Sequence, residues 1–307
     1  MSDDKGQQQA VQTTGHAWDG DIQEFNNPLP RWWLWAFYGT VAFAVIYWFL
    51  YPAWPVADSY TKGLFNRITY EVNGEQRSSH WNTRARLIHE LQEGEEAVRM
   101  REYTARIAAA DYEEILNDPD MMAFARSAAK GLFGDNCAAC HGAGATGVIG
   151  HFPNLADDDW LWGGTPEDIE ATIREGRRGF MPAFGQALTD EQIEALADFV
   201  LSLSGHEVDA ARAAEGRRIF TTEVGGCYYC HGADGTGLES QGAANLTDRI
   251  WTVANVPAAE DLEARRQAVM QVIRNGVHRE MPAWKGRLTD DQIRLLTVFV
   301  HELGGGQ

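Results

Sequence analysis

The 307-residue sequence is short of cysteine and of basic residues. Its four cysteines all fall in two identical spacings, so none is left over for a structural disulfide. Lysine and arginine number 26 against 44 acidic residues, a net charge of -18. A nucleic-acid binder carries a basic patch, so no nucleic acid is expected as a partner. An acidic surface instead speeds encounter with a basic protein. Sustained alternation of apolar and polar residues is also missing, which argues for an all-α class. With 44% hydrophobic and 23% charged residues the composition is globular, and the length suits about two domains.

Tryptophan, by contrast, is plentiful: there are 11, and they cluster. Residues 32–51 carry no charge and at 1.5 Å per residue span roughly 30 Å, the thickness of a bilayer's hydrocarbon. Trp32, Trp33 and Trp35 crowd one end, and Tyr47, Trp48, Tyr51 and Trp54 the other, like the aromatic belts of a single-span helix. Pro30 and Pro52 punctuate its ends. A cleaved signal peptide would lie nearer the start and end at a small-x-small site. Here 31 residues precede the span and Pro55-Val56-Ala57 is a poor site, so a retained anchor is expected. Lys5 and Arg31 before the span balance Lys62 and Arg67 after it, so basic residues do not set its orientation.

Beyond the span the chain repeats itself. Cys137-Ala-Ala-Cys140-His141-Gly142 recurs as Cys227-Tyr-Tyr-Cys230-His231-Gly232. Met181-Pro182-Ala183 recurs as Met281-Pro282-Ala283, and Thr189-Asp-Glu-Gln-Ile193 as Thr289-Asp-Asp-Gln-Ile293. Asn154-Leu155 and Trp160 answer to Asn245-Leu246 and Trp251. Kept order and spacing mean two copies of one domain. The expected organisation is an N-terminal tail (1–31), polar and mobile over residues 1–27, a membrane helix (32–54), a partly helical linker (55–118) and two domains (119–205 and 206–307). Helix starts are expected at Asp118-Pro119 and Thr165-Pro166, with capping boxes at Thr189/Gln192 and Thr289/Gln292. From Thr83 to Ile115 a charged helical stretch reads as a solvated spacer or a docking surface for a partner subunit.

Cys-x-x-Cys-His is the attachment signature of c-type haem. Two thiols three residues apart reach the two vinyl groups of one haem edge, and the adjoining His sits under the iron. A zinc site would bring the two Cys pairs together, and a thioredoxin-like pair would follow a strand; neither pattern is present. The motifs therefore predict two covalently bound haems c, on Cys137 and Cys140 and on Cys227 and Cys230. His141 and His231 are the proximal ligands. Met181 lies 40 residues after His141 and Met281 lies 50 after His231, each before Pro and in repeat register. They are the candidate sixth ligands, and His/Met ligation belongs to electron transfer at raised potential. His151, His206, His278 and His301 are rivals that do not recur between the copies. Each proximal His needs an acceptor for its other ring N–H. The Pro153-Asn154-Leu155 loop is the natural source in the first copy; Ala244 replaces Pro153 in the second, where a looser loop is expected. Trp160, Trp162, Trp251, Arg177, Arg178 and Arg279 are candidates to meet haem propionates.

Asn27-Pro-Leu-Pro-Arg-Trp-Trp33, the span ending Tyr51-Pro-Ala-Trp-Pro55 and the two haem motifs together resemble the di-haem subunit III of cbb3-type cytochrome c oxidases. Gly134-Asp-Asn-Cys137 and Asp158-Asp-Trp-Leu-Trp-Gly-Gly164 are similar to that family too. The polar stretch Thr69 to Ser79, with Asn73-Gly74 as a turn, departs from it. The resemblance implies one transmembrane helix followed by two tandem class I cytochrome c domains. It implies electron transfer from a cytochrome c donor towards a mono-haem cytochrome c subunit and a haem–copper catalytic subunit, the chain itself being non-catalytic. Membrane lipid surrounds the span, and the haem domains face the periplasm of a bacterial inner membrane. Service to a nitric oxide reductase or a dehydrogenase, or a di-haem peroxidase-like enzyme, are the alternatives. The first repeat, with 13 acidic against 5 basic residues, suits a basic donor better than the second, with 14 against 11.

Overall fold

A computed structural model describes residues 12–304. The chain divides into two compact units, 1–99 and 100–307. The expected tail runs partly outside the described residues, at 1–11, but the rest is ordered. Strands β1 (Thr13–Trp18) and β2 (Ile22–Phe25) form an antiparallel hairpin turned at Asp19-Gly20, both with positive φ.

Helix α1 (Arg31–Leu50) follows Pro30 and stops before Pro52. None of its residues is buried by protein, and its length and apolar composition suit a membrane crossing. Past it come two more hairpins: β3 (Pro55–Val56) with β4 (Ser59–Tyr60), and β5 (Arg67–Val72) with β6 (Glu75–His80). The second corrects the all-α expectation. Ile68, Tyr70 and Val72 alternate inwards with Arg67, Thr69 and Glu71 outwards, and Asn73-Gly74, both at positive φ, closes the turn. Helix α2 (Thr83–Glu93), capped by Asn82, lies on β5. The Gln92 amide both donates to the Glu71 carbonyl (2.8 Å) and accepts from its N–H (2.9 Å), and His89 Nδ1 bonds the Thr69 carbonyl.

The unit boundary falls inside α3 (Glu95–Ala109). The second unit begins earlier than residue 119. Ile107 and Ala110, with Tyr112 and Ile115 of α4 (Tyr112–Asn117), are core residues of the first haem-motif lobe, so this end of the linker is no solvated spacer. Next come α5 (Pro119–Asn136), the single turn α6 (Ala138–His141) and α7 (Pro166–Glu175). Strand β7 (Arg177–Met181) leads to α8 (Asp190–Leu203) and α9 (Ala210–Phe220). The second copy continues with α10 (Tyr228–His231), α11 (Leu262–Asn275), strand β8 (Val277–Met281) and α12 (Asp290–His301). Asp118 and Thr165 cap α5 and α7 with Pro at the first position, and both capping boxes form.

The cores do not follow the sequence repeats. The first gathers α4 from the end of the linker and α5 and α7 of the first copy with α12 of the second. The second gathers α8 of the first copy with α9 and α11 of the second. The exchange is mirrored bond for bond. Trp284 and Lys285 N–H donate to the carbonyls of Ile173 and Arg174, while Phe184 and Gly185 N–H donate to those of Ile273 and Arg274. Arg174 pairs with Asp290, and Arg274 with Asp190 at 2.7 Å. The cause is a short connection. Only residues 204–209 separate α8 from α9, and so short a link makes antiparallel neighbours of the helices it joins. Counted by lobe, the charges even out. Residues 119–176 with 277–304 hold 13 acidic and 7 basic residues, and residues 177–276 hold 14 and 9. The acidic excess is not a property of one haem domain.

Candidate functional site

Each Cys-x-x-Cys-His motif opens a short helical turn. Cys137 caps α5 and starts α6, so His141 N–H bonds the Cys137 carbonyl (3.0 Å); His231 N–H bonds that of Cys227 (2.9 Å). The turn puts both sulfurs and the imidazole of each motif on one wall of one cavity of about 660 Å³. The four cysteines are free thiols. Burial pushes the Cys137 and Cys227 thiols up to about 11, so both are neutral nucleophiles-in-waiting rather than thiolates at pH 7. Among the described residues no three His, Cys, Asp or Glu side chains gather as a metal-ion cluster.

The two imidazoles are held alike. His141 Nδ1 donates to the Pro153 carbonyl at 3.1 Å and His231 Nδ1 to the Ala244 carbonyl at 2.9 Å. These bonds fix the tautomer and leave each Nε2 with its lone pair. Burial holds both imidazoles below the ordinary His range, so they stay neutral. The loop at Ala244 holds its His no less closely than the one at Pro153.

Met181 and Met281 end strands β7 and β8, which pair antiparallel around a two-fold centre at Gly179 and Arg279. Period-two alternation turns Met181, Gly179 and Arg177 inwards, and Met281, Arg279 and Val277 likewise. His278 falls on the exposed face of β8. The crossed fold carries the methionines with it. Met281 packs against the core that holds Cys137 and Ala138, and Met181 against the core that holds Cys227 and Tyr228. Gly176 and Gly276, at φ 72° and 70°, make this possible. A Cβ at Gly176 would stand 2.4 Å from the Met281 carbonyl oxygen, and one at Gly276 2.5 Å from that of Met181. The eight residues picked out by the motifs thus line one cavity, and each methionine packs on the core that holds the other copy's first cysteine.

The cavity wall suits a haem beyond its Cys and His donors. Three buried polar atoms there have no hydrogen-bond partner: Trp160 Nε1, Arg279 Nε and Asp159 Oδ2. A buried polar group left unpaired costs about 1–3 kcal/mol, so such groups mark the place of a polar ligand edge. Burial, then the nearby charges of Asp248 and Asp157, raises Asp159 to about 7. Repeat spacing singled out the Cys, His, Met and Trp residues; Gly176 and Gly276 were legible only as a glycine ending a helix.

Comparison with known proteins shows the family. The family model for the N-terminal domain of cytochrome oxidase-cbb3, FixP, matches residues 10–58. The model for cytochrome c oxidase, cbb3-type, subunit III matches residues 125–200 and 211–300, one match over each haem motif. The cbb3-type cytochrome c oxidase subunit FixP of Azorhizobium caulinodans is 42% identical, covering 96% of this chain and 94% of its own. FixP of Bradyrhizobium sp. is 43% identical over 96% and 95%. Subunit CcoP of Cereibacter sphaeroides is 40% identical over 96% and 95%. Two haem-motif lobes behind one apolar helix, matched along nearly the whole chain, mean that the protein belongs to the subunit III family of cbb3-type cytochrome c oxidases.

Proposed function

We propose that this subunit carries electrons through two haems c whose axial ligands are crossed between the repeats. Cys137 and Cys140 hold one haem, with His141 and Met281 on its iron. Cys227 and Cys230 hold the other, with His231 and Met181. The observation that carries this reading is the packing of each methionine into the core of the other copy's Cys-x-x-Cys-His motif. A bound haem supplies a one-electron couple, and Met/His ligation sets it at raised potential. The chain's own part is structural. The Pro153 and Ala244 carbonyls aim the imidazoles, β7 and β8 deliver the methionines, and one continuous cavity keeps both sites close.

As a subunit of a cbb3-type oxidase, the chain takes electrons from a cytochrome c donor. It passes them to a mono-haem cytochrome c subunit and on to the haem–copper subunit that reduces oxygen. The chain itself reduces none. Helix α1 anchors it in lipid, with residues 55–307 on the periplasmic side, where haem c is attached.

The test starts with a pyridine haemochrome of the tagged chain purified gently in detergent from its own membranes. Two haems c per chain with co-purifying haem b, copper and oxygen uptake is the expected result. Carbon monoxide binding by the unmodified reduced chain would instead support an open, peroxidase-like iron. The crossing is tested in a Cys137→Ala, Cys140→Ala background that keeps only the second haem. There Met181→Ala opens a carbon monoxide site and Met281→Ala does not; the reverse restores ligation within each repeat.

A further inference from the structure

The symmetry of the haem-binding lobes is broken at the centre of the β7–β8 pair. Gly179 stands opposite Arg279, and both face inwards. Arg279 lines the cavity with both haem motifs and is partly buried. Its Nη2 donates to the Thr252 carbonyl at 2.6 Å, an oxygen that also accepts from Gly150 N–H at 3.1 Å. Its Nε is buried without a partner, and among the described residues no carboxylate lies within ion-pair distance of it. The neighbouring Glu280 is on the outer face, paired with Arg178 at 3.3 Å. A guanidinium taken out of water with one carbonyl for company is costly, and its planar donor fork matches a carboxylate.

We propose that Arg279 is the counter-cation of a propionate on the haem held by Cys227 and Cys230, and that it sets the two haems' potentials apart. The inference rests on the two-haem reading above. Haem is the group that brings carboxylates into this cavity. Thr252, which anchors the guanidinium, directly follows Trp251, a residue packed on the core of the second motif. Asp159 and Asp248 line the same cavity, and neither pairs with the guanidinium. The repeat-equivalent position holds Gly179, so the other haem has no cation at that place; the inward arginine of β7, Arg177, instead donates its Nε to Thr172 Oγ1 at 2.9 Å and lies over the Trp162 ring. A nearby positive charge favours the reduced iron, which carries one charge fewer, and so raises the potential of one haem alone.

Arg279→Gln, Arg279→Lys and the exchange Gly179→Arg with Arg279→Gly are compared with the unmodified full chain in detergent. Each is titrated spectroelectrochemically. Gly179 has an ordinary φ and open space around a Cβ, so it accepts a side chain. Arg279→Gln is expected to lower one midpoint by about tenfold in equilibrium constant, about 59 mV for one electron, and to leave the other in place. Arg279→Lys restores part of the loss, and the exchange moves the higher potential to the other haem. Two unchanged midpoints, or an equal fall in both, overturns the proposal. If Arg279→Gln does not fold, the exchange decides the matter, because it keeps one arginine at the strand centre. Haem content by pyridine haemochrome separates the two levels: a chain without covalent haem sinks the two-haem reading, whereas a loaded chain with unmoved potentials sinks only the role of Arg279.

Discussion

The two haem-motif lobes share one plan but are stabilised differently. At the same place on the last helix of each repeat, the first lobe buries Val298 and the second buries Asp198, both 0% exposed. Val298 sits among aliphatic side chains. Asp198 accepts from Arg212 Nε at 2.6 Å and from Arg266 Nε at 2.7 Å, in a network that also holds Glu194 and Glu263. One topology therefore accommodates an apolar centre or an ionic one, and the two should fail differently. An apolar centre loses stability in proportion to what is cut away. An ionic one loses most when a single partner is removed, because the remaining charges stay buried.

The sharpest break of this comparison is Asp198→Ala beside Val298→Ala. Removing Asp198 takes the buried acceptor from both Arg266 Nε and Arg212 Nε and is expected to cost about 3–5 kcal/mol. Trimming Val298 costs about 2 kcal/mol. Thermal unfolding followed at the haem absorption band ranks them; equal losses would mean that the ionic centre is solvated. Gly176→Ala and Gly276→Ala come next, at about 1–3 kcal/mol each from a strained positive φ, and each is aimed at the other copy's methionine. Gly176→Ala should weaken ligation by Met281 and Gly276→Ala that by Met181, read as a new carbon monoxide-binding fraction. A different kind of effect is that of pH. The folded state holds the Asp159 proton up to about 7, well above the ordinary carboxylate value of 3.8. Its stabilising contribution is complete below about pH 4 and is lost as pH rises through 7. Asp159→Asn, neutral throughout, flattens the decline in melting temperature across that window; an unchanged slope would assign the decline elsewhere.

Much of this was legible in the residues. Caps at Asp118, Thr165, Thr189 and Thr289 need only a local side chain and its own helix, so sequence identifies them. The acceptor carbonyl at Pro153 is likewise a short-range matter of twelve residues. The β5–β6 hairpin was carried by a six-residue alternation and Asn73-Gly74, a signal too short to outweigh the surrounding helix periodicity. The crossing could not be read from the repeats. Two copies of one domain present equivalent surfaces, so helix α12 satisfies α5 as well as α8 would. The choice rests on the length of one connection, residues 204–209, and repeat comparison is blind to connection length.

The crossed fold also dictates an order of construction. Synthesis delivers residues 177–275 as one unbroken stretch that holds the whole second core, with Met181 ahead of His231 by 50 residues. The first core is discontinuous: His141 is made 140 residues before Met281, and its last helix closes only at His301. Contacts so distant along the chain form late. The lobe whose motif emerges first is therefore the last to be finished.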